Sequence, residues 1–570
     1  MEENSNYWLR RKLNRRDTLR GSALVGVGAA SLALVGCGDD DDDDDDVGAT
    51  PTTGAGTTPT TGAGASPTTA TKQPKPGGAF SFQMPAIPPS LDPYTQTSYQ
   101  NAYVNGLSYS KLLRFAAGVP AVDPADNTME PDLAQKLPEQ PDELTYTFKL
   151  KPGIKFHNGR AMTSEDVLYA FDRYLNFEKS VHKTGLAFTD KITAPDANTV
   201  QITTKSPYAD TVSYLGGNLG AWISPKEHAE SAEATTKMVG TGPFIMTELQ
   251  TGVSIKFKKN PDYYDKPYPY FDDLTAFGVS DLQKRVADFS SKQVDLTWLF
   301  LPDPRDQVKK NRPDAKFEET QGIGGYIYLR TDKPPFNNKL VRQAISMALD
   351  RKAIRDAISS GEGVPDQLYF VGYPFARQPK DLPQGKYWEH NIAEAKKMMS
   401  AAGVGDIETT WSHADVTAYG QEYLDTATLA QAQLKQIGIT ITDNIQPYAN
   451  YIGTTYQGNY EGMGHSPRAV SYYLDFITER FTMKPKRGRI NLSYVTDPAL
   501  EDLMDKQRGQ LKLEERLQTV KKIEELVAEE QYEIYFSTDT RSYFWNPDIQ
   551  NYRPTAWFPY THLMKTWRDA

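Results

Sequence analysis

Eight consecutive aspartates at residues 39–46, followed by a tract of Thr, Pro, Gly and Ala that continues to residue 76, constrain this chain more than any other feature. The aspartates repel one another, and the tract holds almost no large apolar side chains, so neither segment can form a hydrophobic core. We therefore interpret residues 37–76 as an extended tether, with a weak site for divalent cations as the alternative. Any folded body must begin near Gly77.

The body that follows is large enough for more than one lobe, because the chain has 570 residues. Its composition, 39% hydrophobic and 24% charged, is typical of a soluble globular protein, and no apolar run beyond the N-terminus approaches the ~20 residues that cross a bilayer. The aspartate run supplies eight of the ten net negative charges, which leaves −2 for the rest. With no basic stripe either, we expect no nucleic-acid partner.

The first 36 residues are typical of an export signal. Arg15 and Arg16 precede a weakly apolar stretch at residues 21–35, as in a twin-arginine signal, although Thr18 replaces the usual Phe and leaves a general secretory route open. The stretch ends in Leu-Val-Gly-Cys, which resembles the lipobox of bacterial prolipoproteins. We therefore expect Cys37 to be acylated and to anchor the protein to the extracytoplasmic face of the cell membrane, in the periplasm or at the cell surface. A signal-anchor helix with an incidental cysteine is the alternative.

Because Cys37 is the only cysteine, the body can hold neither a disulfide framework nor a Cys-rich zinc site. The seven histidines form no HExxH or comparable spacing, so we predict no metal and no cofactor. The body also has no GxSxG elbow and no cysteine nucleophile, which argues against an enzyme. Paired carboxylates leave an extracellular hydrolase as an alternative.

Short β-rich runs alternate with amphipathic helices from Gly77 onward, which predicts an α/β fold. A strand-turn-strand at residues 145–156 leads to Thr163 or Ser164, either of which can cap a helix with an apolar face. A second helix is predicted from Ala344 to Gly361, and Asp497 followed by Pro498 is expected to begin the C-terminal helices.

The segment at residues 144–174, LTYTFKLKPGIKFHNGRAMTSEDVLYAFDRY, resembles the signature region of the family 5 extracellular solute-binding proteins. This family includes dipeptide, oligopeptide and nickel-chelate receptors. Further blocks follow in the family's order, namely VGTGPF at 239–244, KNPDYY at 259–264, PPF at 334–336 and VRQAISMALDR at 341–351. The resemblance extends from about residue 77 to about residue 552.

The resemblance implies an α/β, two-lobed fold of the type II periplasmic-binding-protein kind, with an inserted subdomain and a central ligand cleft. Lobe one is predicted at residues 77–320 and 537–570, with the insertion at about 111–190, and lobe two at 321–536. The hinge is expected at residues 326–329 and 534–536.

The resemblance also implies the solute-binding component of an ABC importer, which captures a small organic solute and delivers it to permease subunits in the membrane. We expect a monomer. A surface receptor that does not transport is a further alternative.

Candidate ligand contacts come from positions in the family pattern. They are Met84, Ala86, Trp411, His413, His465, Arg468, Tyr535 and Thr538. In peptide receptors of this family an aspartate in the segment equivalent to residues 463–469 balances the peptide's ammonium, whereas this segment has no carboxylate. If Arg468 points into the cleft, the site suits a carboxylate or phosphate; the alternative is an exposed loop arginine. Peptides, oligosaccharides, opine-like solutes and other anions therefore all remain candidate solutes.

Overall fold

The computed structural model describes residues 73–569 except 97, 117, 125, 184, 218–219, 370–372, 374, 469–472, 484–490 and 556–559. Arg15, Arg16, Cys37 and nearly all of the predicted tether lie outside the described residues. Within the described part of the chain, no helix is long and apolar enough to cross a membrane.

The strands are β1 (Ala79–Met84), β2 (Leu113–Phe115), β3 (Met129–Pro131), β4 (Thr145–Lys149), β5 (Thr189–Asp196), β6 (Thr199–Thr204), β7 (Phe244–Gln250), β8 (Ser254–Lys259), β9 (Asp273–Gly278), β10 (Leu296–Leu299), β11 (Lys316–Leu329), β12 (Ile407–Ala414), β13 (Ile439–Gln446), β14 (Met463–Pro467), β15 (Glu533–Trp545), β16 (Ile549–Gln550) and β17 (Trp567–Arg568).

The helices are α1 (Tyr99–Ser108), α2 (Ser164–Asn176), α3 (Thr211–Gly217), α4 (Lys226–Ala229), α5 (Leu282–Ser290), α6 (Pro302–Asn311), α7 (Lys339–Ala348), α8 (Arg351–Ser359), α9 (Ile392–Ala401), α10 (Val416–Tyr419), α11 (Gln421–Leu434), α12 (Tyr448–Gly453), α13 (Leu474–Thr478), α14 (Pro498–Gly509) and α15 (Leu513–Glu530).

One ten-stranded sheet runs through the molecule in the order β13-β12-β14-β11-β15-β10-β1-β9-β8-β7. The long strands β11 and β15 lie at its centre and pair antiparallel. Strand β14 joins the second half of β11, whereas β10 joins the second half of β15. Since β11 and β15 run in opposite directions, β14 and β10 border opposite ends of the central pair. The sheet thus has two halves, β13-β12-β14 and β10-β1-β9-β8-β7, and the strands β11 and β15 connect them.

Each half of this sheet packs against its own hydrophobic core. The first core includes Phe80, Phe82, Phe257, Leu296 and Tyr543. In the second core, α7, α9 and α11 pack on the other half of the sheet. This core includes Ile327, Ile345, Ala430, Met463 and Ile534. Two cores separated by a pair of crossing strands are consistent with the predicted two-lobed architecture.

A third core surrounds a small antiparallel sheet of order β4-β6-β5. It contains Phe148, Phe171 and Ile202 together with Leu500 and Val520 from the C-terminal helices. Residues of both predicted lobes therefore share this core. The small sheet also includes β6, which follows the limit of about residue 190 predicted for the insertion.

Local sequence signals explain several helix boundaries. The carboxylate of Asp166 accepts a hydrogen bond from the backbone N–H of Thr163 at 2.9 Å, which fixes the start of α2 as predicted. Asp497 accepts from the N–H groups of Ala499 and Leu500 at the start of α14. These two predictions are confirmed.

The single helix predicted from Ala344 to Gly361 is wrong, because the structure has two. Helix α7 ends at Ala348, and the carboxylate of Asp350 accepts from the N–H of Ala353 at 2.8 Å to cap α8. Aspartate is a strong N-cap residue, so it starts a new helix at this point. Helix α8 ends before Gly361, which has a φ of +84°.

Candidate functional site

The register of β11 and β15 breaks at the centre of the sheet. Their pairing shifts between Gln321 and Gly324 and again between Gly324 and Tyr326. Extra residues in one strand bend it and increase its twist. We call residues 321–326 and 535–540 the crossing, because here the chain passes from one half of the sheet to the other. The crossing overlaps the predicted hinge and begins a few residues before its first segment.

Glycines in β11 allow other groups to approach the crossing closely. A Cβ atom at Gly322 would lie 1.4 Å from Oδ1 of Asp539, and one at Gly324 would lie 2.6 Å from Oδ2 of Asp366. Both contacts are shorter than a carbon–oxygen pair permits, so any side chain here would force the carboxylates to move. The glycines therefore admit acidic side chains directly against the backbone of the crossing.

Arg468, at the end of β14, has an internal role at this point. Its guanidinium donates to Oδ1 of Asp366 at 2.8 Å and to the carbonyl of Leu368 at 2.7 Å, and also to the carbonyl of Gln367. Both charged side chains are buried. Burial raises the pKa of Asp366 to about 6, although Arg468 opposes the rise. The positive charge of Arg468 is thus balanced inside the protein.

The segment at residues 363–368 adds a third chain to the crossing. The N–H of Asp366 donates to the carbonyl of Phe536 at 2.9 Å, and the N–H of Thr538 donates to the carbonyl of Val364 at 2.8 Å. The N–H of Arg468 donates to the carbonyl of Gly324 at 2.8 Å. Arg468 and Asp366 therefore join the end of β14, this segment and both crossing strands.

Tyr535 belongs to a second buried charged group next to the crossing. Its hydroxyl donates to Oε2 of Glu533 at 2.8 Å and accepts from Arg480 at 3.0 Å. Arg480 also contacts Glu533 at 2.6 Å. Burial, together with the nearby Glu533, raises the pKa of Tyr535 well above its usual value. The tyrosine therefore stays neutral and its hydroxyl position is fixed.

Aromatic rings surround His465 on β14. Tyr423 stacks on it with 4.0 Å between ring centroids, and Trp411, His413 and Phe536 lie at 5.4–5.5 Å. Burial lowers the pKa of His465 well below its usual value, and His413 adds to the effect. His465 is therefore a neutral imidazole at physiological pH.

We call Trp411, His413, Tyr423, His465 and Phe536 the ring cluster. Three of its buried ring nitrogens lack a hydrogen-bond partner among the described residues. They are Trp411 Nε1, His413 Nδ1 and His465 Nδ1. His413 Nε2 lies 3.0 Å from Oδ1 of Asp443, and because a carboxylate only accepts, this nitrogen is the donor. Buried polar atoms without partners are rare in proteins. A bound water or a polar group of a solute could satisfy the Trp411 donor and the two imidazole nitrogens here.

The predicted contact residues fall into three sets. Trp411, His413 and His465 meet in the ring cluster, while Arg468, Tyr535 and Thr538 meet at the crossing, where the guanidinium of Arg468 lies 5.6 Å from the ring of Tyr535. Met84 and Ala86 lie at the end of β1, which β10 separates from β15 in the sheet order. Met84 is buried in the first core, and Ala86 is exposed. Contact of all eight with a solute stays a prediction.

Sequence reasoning missed several groups at the crossing. Asp366 and Glu533 were not singled out, and neither was Glu422 at the start of α11. Burial raises the pKa of Glu422 to about 7, and Asp539 and Asp425 add to the rise. The glycine-rich run at residues 322–325 was the available signal, because glycines in a strand mark close backbone approach. Among the described residues, no group of three or more His, Cys, Asp or Glu could hold a metal ion.

Comparison with known proteins gives a family match. The model described as bacterial extracellular solute-binding proteins, family 5 Middle, matches residues 128–477, which is more than half of the chain. Heme-binding protein A of Haemophilus influenzae is 27% identical over 374 residues, covering 60% of this chain and 65% of the relative. Di/tripeptide-binding protein 1 of Pseudomonas aeruginosa is 28% identical over 366 residues, covering 58% and 66%. The matched region thus spans just under two thirds of these relatives.

A solved structure gives a likeness over a larger part of the chain. The oligopeptide-binding protein AppA of Bacillus subtilis, in complex with a nonapeptide, has a TM-score of 0.76 and 20% sequence identity, and the likeness covers 87% of this chain and 100% of AppA. This likeness confirms the predicted α/β fold of the type II periplasmic-binding-protein kind.

Proposed function

The chain belongs to the bacterial extracellular solute-binding proteins of family 5, and we propose that it is the solute-binding component of an ABC importer. It captures a small organic solute in a cleft between two lobes and delivers it to permease subunits in the membrane. Family membership supports binding without catalysis over the extracellular hydrolase and over a receptor that does not transport.

The observation that carries this proposal is the crossing. Strands β11 and β15 connect two separately packed sides of one sheet, and the register shifts lie between those sides. Such a connection is suited to a hinge, because a few residues can absorb the change in φ and ψ while each side stays rigid. A solute that contacts both sides favours the closed form by its difference in affinity for the closed and open forms.

We propose a peptide-like solute as the first candidate class. Relatives and fold neighbours carry names or bound ligands of this kind, namely di/tripeptides and a nonapeptide. The preference for an anion was predicted from Arg468, but that side chain is paired with Asp366. Anionic solutes and oligosaccharides are therefore the second candidate class. The unpartnered nitrogens of Trp411, His413 and His465 can pair with a peptide's amide groups, because an amide carries both a donor and an acceptor.

The proposed location is the extracytoplasmic face of the cell membrane. The family is extracytoplasmic, and the finer assignment rests on the sequence alone. Arg15 and Arg16 direct export, Cys37 carries the lipid anchor, and the tether separates the body from the membrane surface. The protein acts as a monomer that meets its permease from this position.

Two measurements on the purified protein test the proposal. Mass spectrometry under native and denaturing conditions identifies any small molecule that co-purifies. Thermal unfolding is then recorded with dialanine, trialanine, an alanine nonapeptide and hemin, since a ligand at a hundred times its Kd stabilises the native state by about 2.7 kcal/mol. A higher Tm with a peptide, and recovery of that peptide unchanged, is the expected result. If none of these compounds raises the Tm, or if a product with an altered covalent structure appears, the proposal is contradicted.

A further inference from the structure

A buried ion pair formed by residues outside the crossing connects the two predicted lobes. Arg516 of α15, in predicted lobe two, donates through Nη1 to Oδ1 of Asp210 at 2.7 Å and through Nη2 to Oδ2 at 2.6 Å. Asp210 lies between β6 and α3, in predicted lobe one. Exposure is 0% for Arg516 and 3% for Asp210. The two-pronged geometry is the strong form of an arginine–carboxylate contact.

Further contacts between the same two regions surround this pair. The N–H of Asp475 donates to Oδ2 of Asp210 at 2.8 Å, and the hydroxyl of Tyr208 donates to Oδ2 of Asp475 at 3.1 Å. The N–H of Ala209 donates to the carbonyl of Arg508 at 2.8 Å. These bonds all join residues 208–210 to residues 475–516, so the predicted lobes meet here in a continuous, hydrogen-bonded contact.

Charge complementarity favours this contact. Within predicted lobe two, Arg508 pairs with Asp475 at 2.6 Å, while Gln507 accepts from Arg516. Arg508, Arg516 and Asp475 together carry a net charge of +1, which Asp210 balances from the other lobe. Separating the lobes leaves Arg516 hydrogen-bonded to the neutral Gln507, beside Asp475, whose charge Arg508 already balances. A buried ion that loses its partner is strongly disfavoured unless water reaches it.

We propose that Asp210 and Arg516 form a latch that favours the closed form of the receptor. This inference rests on the proposed function, because it assumes that the lobes separate to admit a solute and that the part of the third core shared by both lobes opens with them. Neither residue belongs to the ring cluster or to the crossing, and each is hydrogen-bonded within the protein, so the pair contributes to affinity without contacting the solute. Weakening the latch lowers the closed population, and the apparent Kd rises in inverse proportion to that population.

Asp210→Asn tests the latch, because asparagine keeps the shape of the side chain and removes its charge. Glu524→Gln is the matched control. Glu524 is also a buried carboxylate paired with an arginine, Arg377 at 2.5 Å, but both residues lie in predicted lobe two. Small-angle scattering of each variant without solute, and calorimetric titration with trialanine, report the lobe separation and the affinity.

We expect Asp210→Asn to bind trialanine about 10- to 100-fold more weakly than the parent, a range typical of coupling between distant sites, and to show a larger radius of gyration without solute. Glu524→Gln should match the parent in both measurements. Equal affinity of Asp210→Asn and the parent overturns the latch. If the parent does not bind trialanine, that proposed solute fails, and scattering alone decides: a larger radius for Asp210→Asn supports the latch, and an unchanged radius overturns it.

Discussion

Arg468 and Asp366 form an ion pair of 2.8 Å, 102 residues apart in the chain, in which both side chains are buried. The pair joins the end of β14 to the segment that borders the crossing. The pair therefore gives Arg468 a role inside the protein itself.

Arg468→Ala should therefore lower the free energy of unfolding by about 3–5 kcal/mol, because it leaves the carboxylate of Asp366 buried without its partner. Chemical denaturation at pH 7.5 measures the loss. The control is the double variant Arg468→Met with Asp366→Asn, which removes both charges and should lose less. Unchanged stability of Arg468→Ala combined with loss of solute binding would show instead that the arginine serves the solute.

Gly363→Ala should be strongly destabilising. Gly363 has a φ of +92°, and a Cβ atom there would lie 1.9 Å from the backbone carbonyl oxygen of Thr538 in the crossing. The matched control is Gly153→Ala, at a φ of +72° with no atom within 4 Å. The control should lose only about 1–2 kcal/mol from the left-handed backbone, and Gly363→Ala clearly more. Similar losses in urea denaturation would contradict the close approach at the crossing.

Glu422→Gln should stabilise the protein at alkaline pH. The pKa of Glu422 is raised from 4.5 to about 7, so its charged form is disfavoured in the folded state. The free-energy cost of ionising Glu422 in the folded state is absent below pH 4.5, grows between pH 4.5 and 7, and is constant above pH 7. The variant should thus gain roughly 3 kcal/mol at pH 8, at 1.36 kcal/mol per pKa unit, and little at pH 4.5.

Denaturation curves across this pH range measure the difference between Glu422→Gln and the parent. The exposed Glu408 provides a control, since Glu408→Gln should stay within about 0.5 kcal/mol of the parent. A difference for Glu422→Gln that does not vary with pH would show that the carboxylate is not held in its neutral form.

His465→Phe tests the ring cluster. Phenylalanine preserves the stacking on Tyr423 but removes Nδ1, one of the three buried nitrogens without a partner. If that atom bonds to the solute, affinity should fall about tenfold, as expected for one hydrogen bond of about 1.4 kcal/mol. Calorimetric titration with the co-purifying solute provides the readout, and an unchanged Tm shows that the fold is intact. Unchanged affinity would assign His465 to the core of the protein alone.

The sequence predicted those parts of the fold that depend on neighbouring residues. The start of α2 at Ser164 and that of α14 at Pro498 follow from caps within three residues of each boundary. The break between α7 and α8 was missed although its local signal, the N-cap Asp350, lies in the sequence; contacts distant in sequence also hold it. The N–H of Asp350 donates to Gln433, and Arg351 donates to the carbonyl of Tyr535.

In the candidate site, too, some residues could be predicted from the sequence and others could not. Trp411, His413 and His465 were each predicted as ligand contacts, and the structure brings their rings together. The partner of Arg468 could not be predicted, because Asp366 lies in a segment with no distinctive sequence pattern and reaches the arginine only through the tertiary fold.

The radius of gyration of the protein, measured by small-angle scattering with and without the solute that co-purifies, tests the central claim most directly. We expect a smaller radius in the presence of the solute, because the two sides of the sheet close around it at the crossing, and we expect to recover the solute chemically unchanged. One shape under both conditions, or a product with an altered covalent structure, would contradict a hinged receptor.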